Sequence, residues 1–222
     1  MNIAENLKNI VKSLPTSVKL VAVSKFHPQE SIQEAYNAGQ RIFGESRMQE
    51  IDSKQASLPK DIEWHFIGHL QTNKVKSIIP YVHTIHSVDS WKLLSEIEKH
   101  ATAINKPVCC LLEMHIAQED AKYGFSFENC RSFLTQGNWK NCKFAYLGGI
   151  MGMATYTENE TQVRNEFRSL KLFFDELKRD YFAGDNRFTE ISMGMSNDYR
   201  IAIDEGSTMI RIGSSIFGER EY

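Results

Sequence analysis

The sequence has few cysteines and no long apolar run. Its four cysteines include no C-x-x-C pair, which argues against both a disulfide framework and a zinc knuckle. No apolar stretch approaches the roughly 18 residues that a membrane span needs. The first residues also lack the charged start and apolar core of a signal peptide. We therefore expect a protein of the reducing cytoplasm.

The sequence also has no large excess of positive or negative charge. The 26 Lys and Arg residues nearly balance the 28 Asp and Glu residues, for a net charge of -2, which argues against broad adhesion to nucleic acid or to an anionic membrane. The chain has 222 residues, of which 41% are apolar. This length and composition predict one globular domain over residues 1–222, whose core needs no disulfide or metal.

Short apolar runs alternate with amphipathic helical stretches along the chain. Strands are predicted over residues 18–25, 41–43, 63–67, 81–86, 107–116, 143–147, 188–191 and 208–212, and helices over residues 3–13, 28–39, 90–104, 157–181 and 196–205. Such alternation indicates parallel strands with right-handed crossovers. Eight units in this length favour a (β/α)8 TIM barrel with an extra N-terminal helix, and an open doubly wound sheet is the alternative.

The helix after residue 157 has the clearest pattern. Residues 157–160 (TENE) fit a capping box that Thr157 would open. The apolar positions then recur at four- and three-residue steps, which makes one continuous stripe. The stripe consists of Val163, Phe167, Leu170, Phe174, Leu177 and Tyr181.

Lys25 ends the first predicted strand, and working sites of (β/α)8 barrels lie at that end of the strands. It would share a strand face with Val21 and Val23. A partly desolvated lysine amine is a better nucleophile toward carbonyls. The alternative is a lysine that reaches solvent, which position alone favours.

Polar groups also follow the last two predicted strands. Ser196 would cap the helix at residue 196, and Gly213 and Ser214 follow the eighth strand. The loops after strands seven and eight commonly bind phosphate in such barrels, and Gly213 would let the backbone approach it. Ordinary turn chemistry is the alternative. Together, the two segments favour a phosphate site.

Arg211 interrupts an apolar strand, so its guanidinium needs a partner. One candidate is a carboxylate of a neighbouring strand, such as Glu113 or Glu190. The other is the ring nitrogen of pyridoxal phosphate (PLP), which meets a charged partner in such sites. An amine, a phosphate site and an arginine together suit PLP better than a phosphosugar.

The histidines do not predict a metal site. His65 and His69 straddle a predicted strand end, and His83 and His86 fall on opposite faces of a predicted strand. Neither pair has the spacing of metal ligands on one helix face. We therefore expect no metal ion.

Five segments match a known family in its order along the chain. They are LVAVSK at residues 20–25, FGESRMQE at 43–50, WHFIGHLQTNK at 64–74, ISMGMS at 191–196 and GSTMIRIGSSIFG at 206–218. Through these segments the chain resembles the pyridoxal phosphate homeostasis proteins (the YggS/PROSC family), which are related to the barrel domain of bacterial alanine racemase. The set is specific because it spans nearly the whole chain.

The resemblance implies roles for the same residues. Lys25 looks like the lysine that forms the internal aldimine, a Schiff base with PLP. Ser196, Gly213 and Ser214 match phosphate-binding positions, and Arg211 matches the arginine that faces the pyridine nitrogen. No catalytic residue is assigned.

Three positions depart from the family's usual residues. Ser46, near the cofactor, stands where the family usually has Asn. Glu113 and His115 stand where it usually has Gln and Asn. These two changes add titratable groups near the site, and the sequence assigns them no role.

The leading hypothesis is a PLP-binding protein that holds, buffers and delivers PLP to client apoenzymes without robust turnover. The resemblance also implies a monomer. Racemases of the related fold use a tyrosine that a second domain supplies. Too few residues follow the eighth predicted strand to form such a domain, so we expect this second base to be lacking. The alternatives are a stand-alone amino-acid racemase-like PLP enzyme, with Lys25 and His65 or Tyr156 as bases, and a phosphosugar enzyme that uses Glu113.

Overall fold

Eight parallel strands form a closed barrel in the computed structural model, which describes residues 2–119 and 123–219. The strands pair in chain order, and the eighth closes the ring against the first. The strands are β1 (Lys19–Val23), β2 (Ile42–Glu45), β3 (Glu63–Phe66), β4 (Val82–Val88), β5 (Val108–His115), β6 (Ala145–Met153), β7 (Glu190–Ser192) and β8 (Met209–Ile212). The predicted (β/α)8 barrel is therefore confirmed, and the open-sheet alternative is wrong.

Helices surround the barrel. They are α1 (Ile3–Ser13), α2 (Gln29–Asn37), α3 (Met48–Ser57), α4 (Val75–Ile78), α5 (Trp91–Ala103), α6 (Phe127–Gln136), α7 (Glu160–Asp180), α8 (Tyr199–Asp204) and α9 (Ser214–Phe217). The extra helix α1 has its predicted bounds and begins where Asn2 accepts a hydrogen bond from the N–H of Glu5. Within residues 2–119 and 123–219, no helix has the length and apolar character to cross a membrane.

The apolar core lies mainly between the strands and the helices. Helix α7 buries five positions of the predicted stripe, including Phe167 and Leu177, whereas Tyr181 follows the end of the helix and is half-buried. Its N-cap differs from the prediction, because the Asn159 side chain accepts a hydrogen bond from the N–H of Gln162. The Thr157 side chain instead accepts from the N–H of Asn159. The helix therefore begins three residues after the predicted start.

Strand β6 runs well past its predicted end at residue 147. It continues through Gly148 and Gly149, which the sequence pattern treats as a strand stop. Gly149 has φ +155°, and a Cβ there would lie 1.8 Å from the carbonyl oxygen of Glu190 in β7. Glycine at this position therefore permits close pairing between β6 and β7.

Candidate functional site

Four neighbouring strands bring most of the predicted site residues to one end of the barrel. In the order β7, β8, β1, β2, each strand pairs with the next. A Cβ on Gly213, directly after β8, would lie 3.2 Å from the carbonyl oxygen of Val23, the last residue of β1. Val23 in turn pairs with Gly44 of β2. The segments that begin at Ser24, Ser46 and Gly213 are therefore adjacent.

Lys25 lies in a turn after β1, and it is not part of the strand as predicted. It is half-buried. The next residue, Phe26, has φ +66°, a backbone conformation that is strained for a bulky side chain. The chain thus turns sharply at Lys25. The alternation of side chains along a strand therefore does not place Lys25 on the same face as Val21 and Val23.

A buried lysine from α3 holds this turn. The ammonium of Lys54 donates to the carbonyl oxygen of Ser24 at 3.0 Å, to Glu45 at 2.9 Å and to Glu50 at 2.7 Å. Glu45 also accepts from the Ser24 hydroxyl at 2.6 Å, and Glu50 accepts from the N–H of Phe26 at 2.8 Å. These five bonds fix the backbone on both sides of Lys25.

The two carboxylates of this group differ in their environment. Burial raises the pKa of Glu45 to about 7, although Lys54 and Ser24 act to lower it. Burial also acts to raise the pKa of Glu50, but hydrogen bonds from Lys54 and from the N–H of Phe26 outweigh it and hold that pKa below its usual range. One oxygen of each carboxyl group is buried and has no hydrogen-bond partner within the described part of the chain.

Ser196 lies in a half-buried turn and does not cap α8 as predicted. Helix α8 begins three residues later, at Tyr199. Asp198 stabilises the turn, because its carboxylate accepts a hydrogen bond from the N–H of Met195 at 2.5 Å. The turn follows Gly194, whose carbonyl oxygen accepts from the backbone N–H of Arg211. Ser196 thus remains at the same barrel end as Gly213 and Ser214.

Arg211 points into the barrel and is 5% exposed. Its guanidinium donates to the carbonyl oxygen of Ser192 at 2.9 Å, to the Ser192 hydroxyl at 2.6 Å and to the carbonyl oxygen of Gly152 at 3.2 Å. These bonds use three of the five N–H groups of the side chain. The sequence pattern predicts neither Ser192 nor Gly152 as a partner of Arg211.

The predicted carboxylate partners do not form an ion pair with Arg211. Within residues 2–119 and 123–219, none of the ion pairs involves this arginine, and Glu190 pairs with Lys19 instead. Burial lowers the pKa of Arg211 to about 10, while Asp198 and Glu113 act to raise it. The side chain is therefore a cation at neutral pH.

A chain of buried hydrogen bonds continues from Arg211 across the barrel. The hydroxyl of Ser192 lies 3.0 Å from Nδ1 of His86, and Nε2 of His86 lies 2.9 Å from Nδ1 of His65. Burial lowers the pKa of His65 to about 3 and that of His86 well below its usual value. Both rings are therefore neutral, and a neutral imidazole donates through one nitrogen and accepts through the other.

Replacing Ser192 with Ala is expected to destabilise the fold by about 1–3 kcal/mol, because it removes the hydroxyl that joins Arg211 to His86. Urea unfolding of both proteins measures this loss. Ser95→Ala is the matched control, since Ser95 is half-buried on α5 and its hydroxyl donates to the carbonyl oxygen of Lys92 in the same helix. Equal stability of the two variants would contradict the role of the Ser192 hydroxyl.

Glu113 is the sixth residue of β5 and is 9% exposed. One of its oxygens, Oε2, is buried and has no hydrogen-bond partner among the residues the structure describes. Burial and, to a smaller extent, Asp89 raise the pKa of Glu113 to about 7, while Arg211 acts to lower it. A cavity of about 360 Å³ is lined by Glu113, His115 and Tyr156. It can hold a small ligand next to a group that titrates near neutral pH.

A family model and two curated relatives show the family of the chain. The alanine racemase N-terminal domain family matches residues 1–221. A pyridoxal phosphate homeostasis protein of Aquifex aeolicus is 38% identical over 234 residues, which cover 100% of both chains. Another, of Schizosaccharomyces pombe, is 36% identical and covers 92% of this chain and 85% of its own. The chain belongs to the pyridoxal phosphate homeostasis protein family.

Solved structures agree with this family. PipY of Synechococcus elongatus, solved with PLP bound, is 37% identical with a TM-score of 0.88 and covers 97% of this chain and 100% of its own. Alanine racemase of Clostridium difficile has a TM-score of 0.76 at 17% identity and covers 100% of this chain and 56% of its own. At that identity, the likeness extends to the fold alone.

Several residues of this homeostasis-family site have only weak signals in the sequence. Ser192 belongs to the matching segment at residues 191–196, but a serine in a strand does not reveal its partner. Lys54 lies in a helix whose other polar side chains are exposed or half-buried. A buried lysine becomes recognisable only when the two carboxylates around it are known.

Proposed function

We propose that this homeostasis-family protein binds PLP and holds it as a Schiff base on Lys25. The observation that carries the proposal is the buried Arg211 cation, which is fixed by Ser192 and Gly152 at the barrel end where Lys25 lies. Two N–H groups of its guanidinium lie outside the three bonds described. PLP supplies an aldehyde that condenses with amines, so the amine of Lys25 and the arginine together fit this cofactor.

The phosphate group would lie between the loops that follow β7 and β8. Ser196 and Ser214 offer hydroxyl donors there, and Gly213 has no side chain to keep a phosphate away from its backbone N–H. Ser46, which follows β2, would face the cofactor from the other side of the Lys25 turn. Its shorter side chain leaves room for a water where an asparagine would reach further.

Arg211 supports a role in holding PLP rather than in robust turnover. A guanidinium only donates hydrogen bonds, so a ring nitrogen that faces it acts as acceptor and stays unprotonated. The ring then withdraws electrons less strongly than one paired with a carboxylate. We infer that the protein buffers PLP and delivers it to client apoenzymes, as the name of its curated relatives suggests.

A racemase-like activity is the second candidate function. Glu113 favours it, because this carboxyl group has a pKa of about 7 and lines a cavity with His115 and Tyr156. A group that titrates near neutral pH can accept or donate a proton. Exchange of the α-proton of amino acids in deuterated water would detect this activity.

Lys25→Ala is expected to weaken PLP binding at least about tenfold, because the covalent bond to the amine is lost. Absorbance titration with PLP measures the affinity, and reactivation of a PLP-free apoenzyme measures delivery. Lys92→Ala is the matched control, since Lys92 is exposed on α5. Equal affinity and equal delivery by Lys25→Ala and the wild type would contradict the proposal.

A further inference from the structure

The opposite end of the barrel holds a second cavity of about 460 Å³. It lies at the amino ends of the strands, away from the proposed PLP site. Glu63 is the first residue of β3, and His83 is the second residue of β4. These two side chains line the cavity together with His65, the third residue of β3.

The three side chains bring potential metal ligands together. Each of Glu63, His65 and His83 offers one ligand atom, and these atoms lie within 4.8 Å of one another. Nδ1 of His83 and Oε2 of Glu63 are 3.9 Å apart. Ligand atoms in a tetrahedral zinc site, with bonds of roughly 2.0–2.1 Å, are about 3.3 Å apart. Glu63 and His83 are exposed and can close this difference by side-chain rotation.

His65 supplies the fixed part of this cluster. It is 2% exposed, and its Nδ1 lies 2.9 Å from Nε2 of His86. Nε2 of His65 is therefore the nitrogen left for a ligand on the cavity side. His86 is held in turn by the hydroxyl of Ser192. Metal-binding histidines usually have the other ring nitrogen bonded to a partner in this way, which fixes the ring and its tautomer.

The charges of the cavity suit a cation at these three residues. Lys19 and Arg187 also line it, but the first pairs with Glu190 at 2.5 Å and the second with Asp185 at 2.8 Å. Glu63 has no lysine or arginine partner within the described residues, since its ion-pair contact is with His83. Its carboxylate therefore keeps its charge available for a metal.

We propose that Glu63, His65 and His83 form a Zn²⁺ site, with the fourth position left to water. Two imidazole nitrogens and one carboxylate oxygen are a known ligand set for zinc. Histidine spacing within one segment does not predict this site. The proposed ligands instead meet across β3 and β4, which lie side by side.

Calorimetric titration of the full chain with Zn²⁺ tests this proposal, after a chelator has removed metal and dialysis has removed PLP. Binding of one Zn²⁺ is expected, with Co²⁺ giving the visible absorbance bands of a four-coordinate site. His83→Ala and Glu63→Gln should each weaken Zn²⁺ binding at least about tenfold. Both side chains are exposed, so thermal unfolding should confirm that the variants fold.

His100→Ala is the matched control. His100 pairs with Glu96 at 3.3 Å on α5, so it presents another histidine–glutamate pair without a third ligand in the described part of the chain. Its removal should leave Zn²⁺ affinity unchanged. The proposal would be overturned if the wild type bound no stoichiometric Zn²⁺. It would also be overturned if both site variants bound Zn²⁺ as tightly as the wild type, which would locate the ion elsewhere, for example at the half-buried Cys142.

Discussion

Replacing Lys54 with Met is expected to destabilise the fold by about 3–5 kcal/mol at neutral pH, because it leaves buried carboxyl groups without their cation. Lys54 is the ion-pair partner of both Glu45 and Glu50, and the side chain of Glu45 is 0% exposed. The ammonium also bonds to the carbonyl oxygen of Ser24. Urea unfolding of the wild type and the variant measures the loss.

Two controls make this prediction specific. Lys99→Met removes a lysine that is 66% exposed and pairs with Glu96 on the surface, and it should cost less than about 1 kcal/mol. The double variant Lys54→Met/Glu45→Gln should recover part of the stability, because no charge is then buried at residue 45. Equal losses for Lys54→Met and Lys99→Met would contradict the described role of Lys54.

The Lys54 cluster also bears on PLP binding. It fixes the backbone of Ser24 and Phe26, which flank Lys25. Lys54→Met should therefore weaken PLP binding even though the side chain need not touch the cofactor. This variant keeps the Lys25 amine but loosens the turn that positions it, so it tests whether the position of Lys25 matters for PLP binding.

Glu113→Gln is expected to gain stability over the wild type as the pH rises, so the difference between their free energies of unfolding should grow. Burial raises the pKa of Glu113 to about 7, above the roughly 4.3 of an unfolded chain. A raised pKa means that the folded state binds the proton more tightly, so stability is lost as the pH rises through 7. The stability difference between variant and wild type should grow by about 2–3 kcal/mol from about pH 5 to about pH 8.5.

Urea unfolding at the two pH values measures this change. Glu158→Gln is the matched control, since Glu158 is exposed, and its effect should change by less than about 0.5 kcal/mol. A pH-independent effect of Glu113→Gln would show that Glu113 keeps an ordinary carboxyl pKa. The test bears on the second candidate function, because that proposal depends on a carboxyl group that titrates near pH 7.

The sequence predicts the elements that have strong periodicity or clear caps. Helix α5 begins after Ser90, and α1 has its predicted bounds. Helix α3 is not predicted, because its buried face consists only of Ile51 and Lys54 and makes no apolar stripe. The end of β6 is not predicted either, since Gly149 can end a strand or permit close pairing with Glu190.

The candidate site could be predicted in part, because the family motifs carry Lys25 and Arg211. The neighbours of these residues could not be predicted. Ser192 reaches Arg211 from the next strand, and Lys54 reaches Ser24 from a helix thirty positions away along the chain. Side-chain alternation within one strand contains no information on which residues meet across strands. The same limit applies to His65 and His86, which meet across β3 and β4.

The location of the covalent bond to PLP tests the proposed site at Lys25. The full chain is incubated with PLP and reduced with borohydride, which converts a Schiff base into a stable pyridoxyl adduct. Mass spectrometry of the digested protein then identifies the modified lysine. One adduct is expected, on the peptide that contains Lys25. An adduct on another lysine, or no adduct at saturating PLP, would contradict the proposed site.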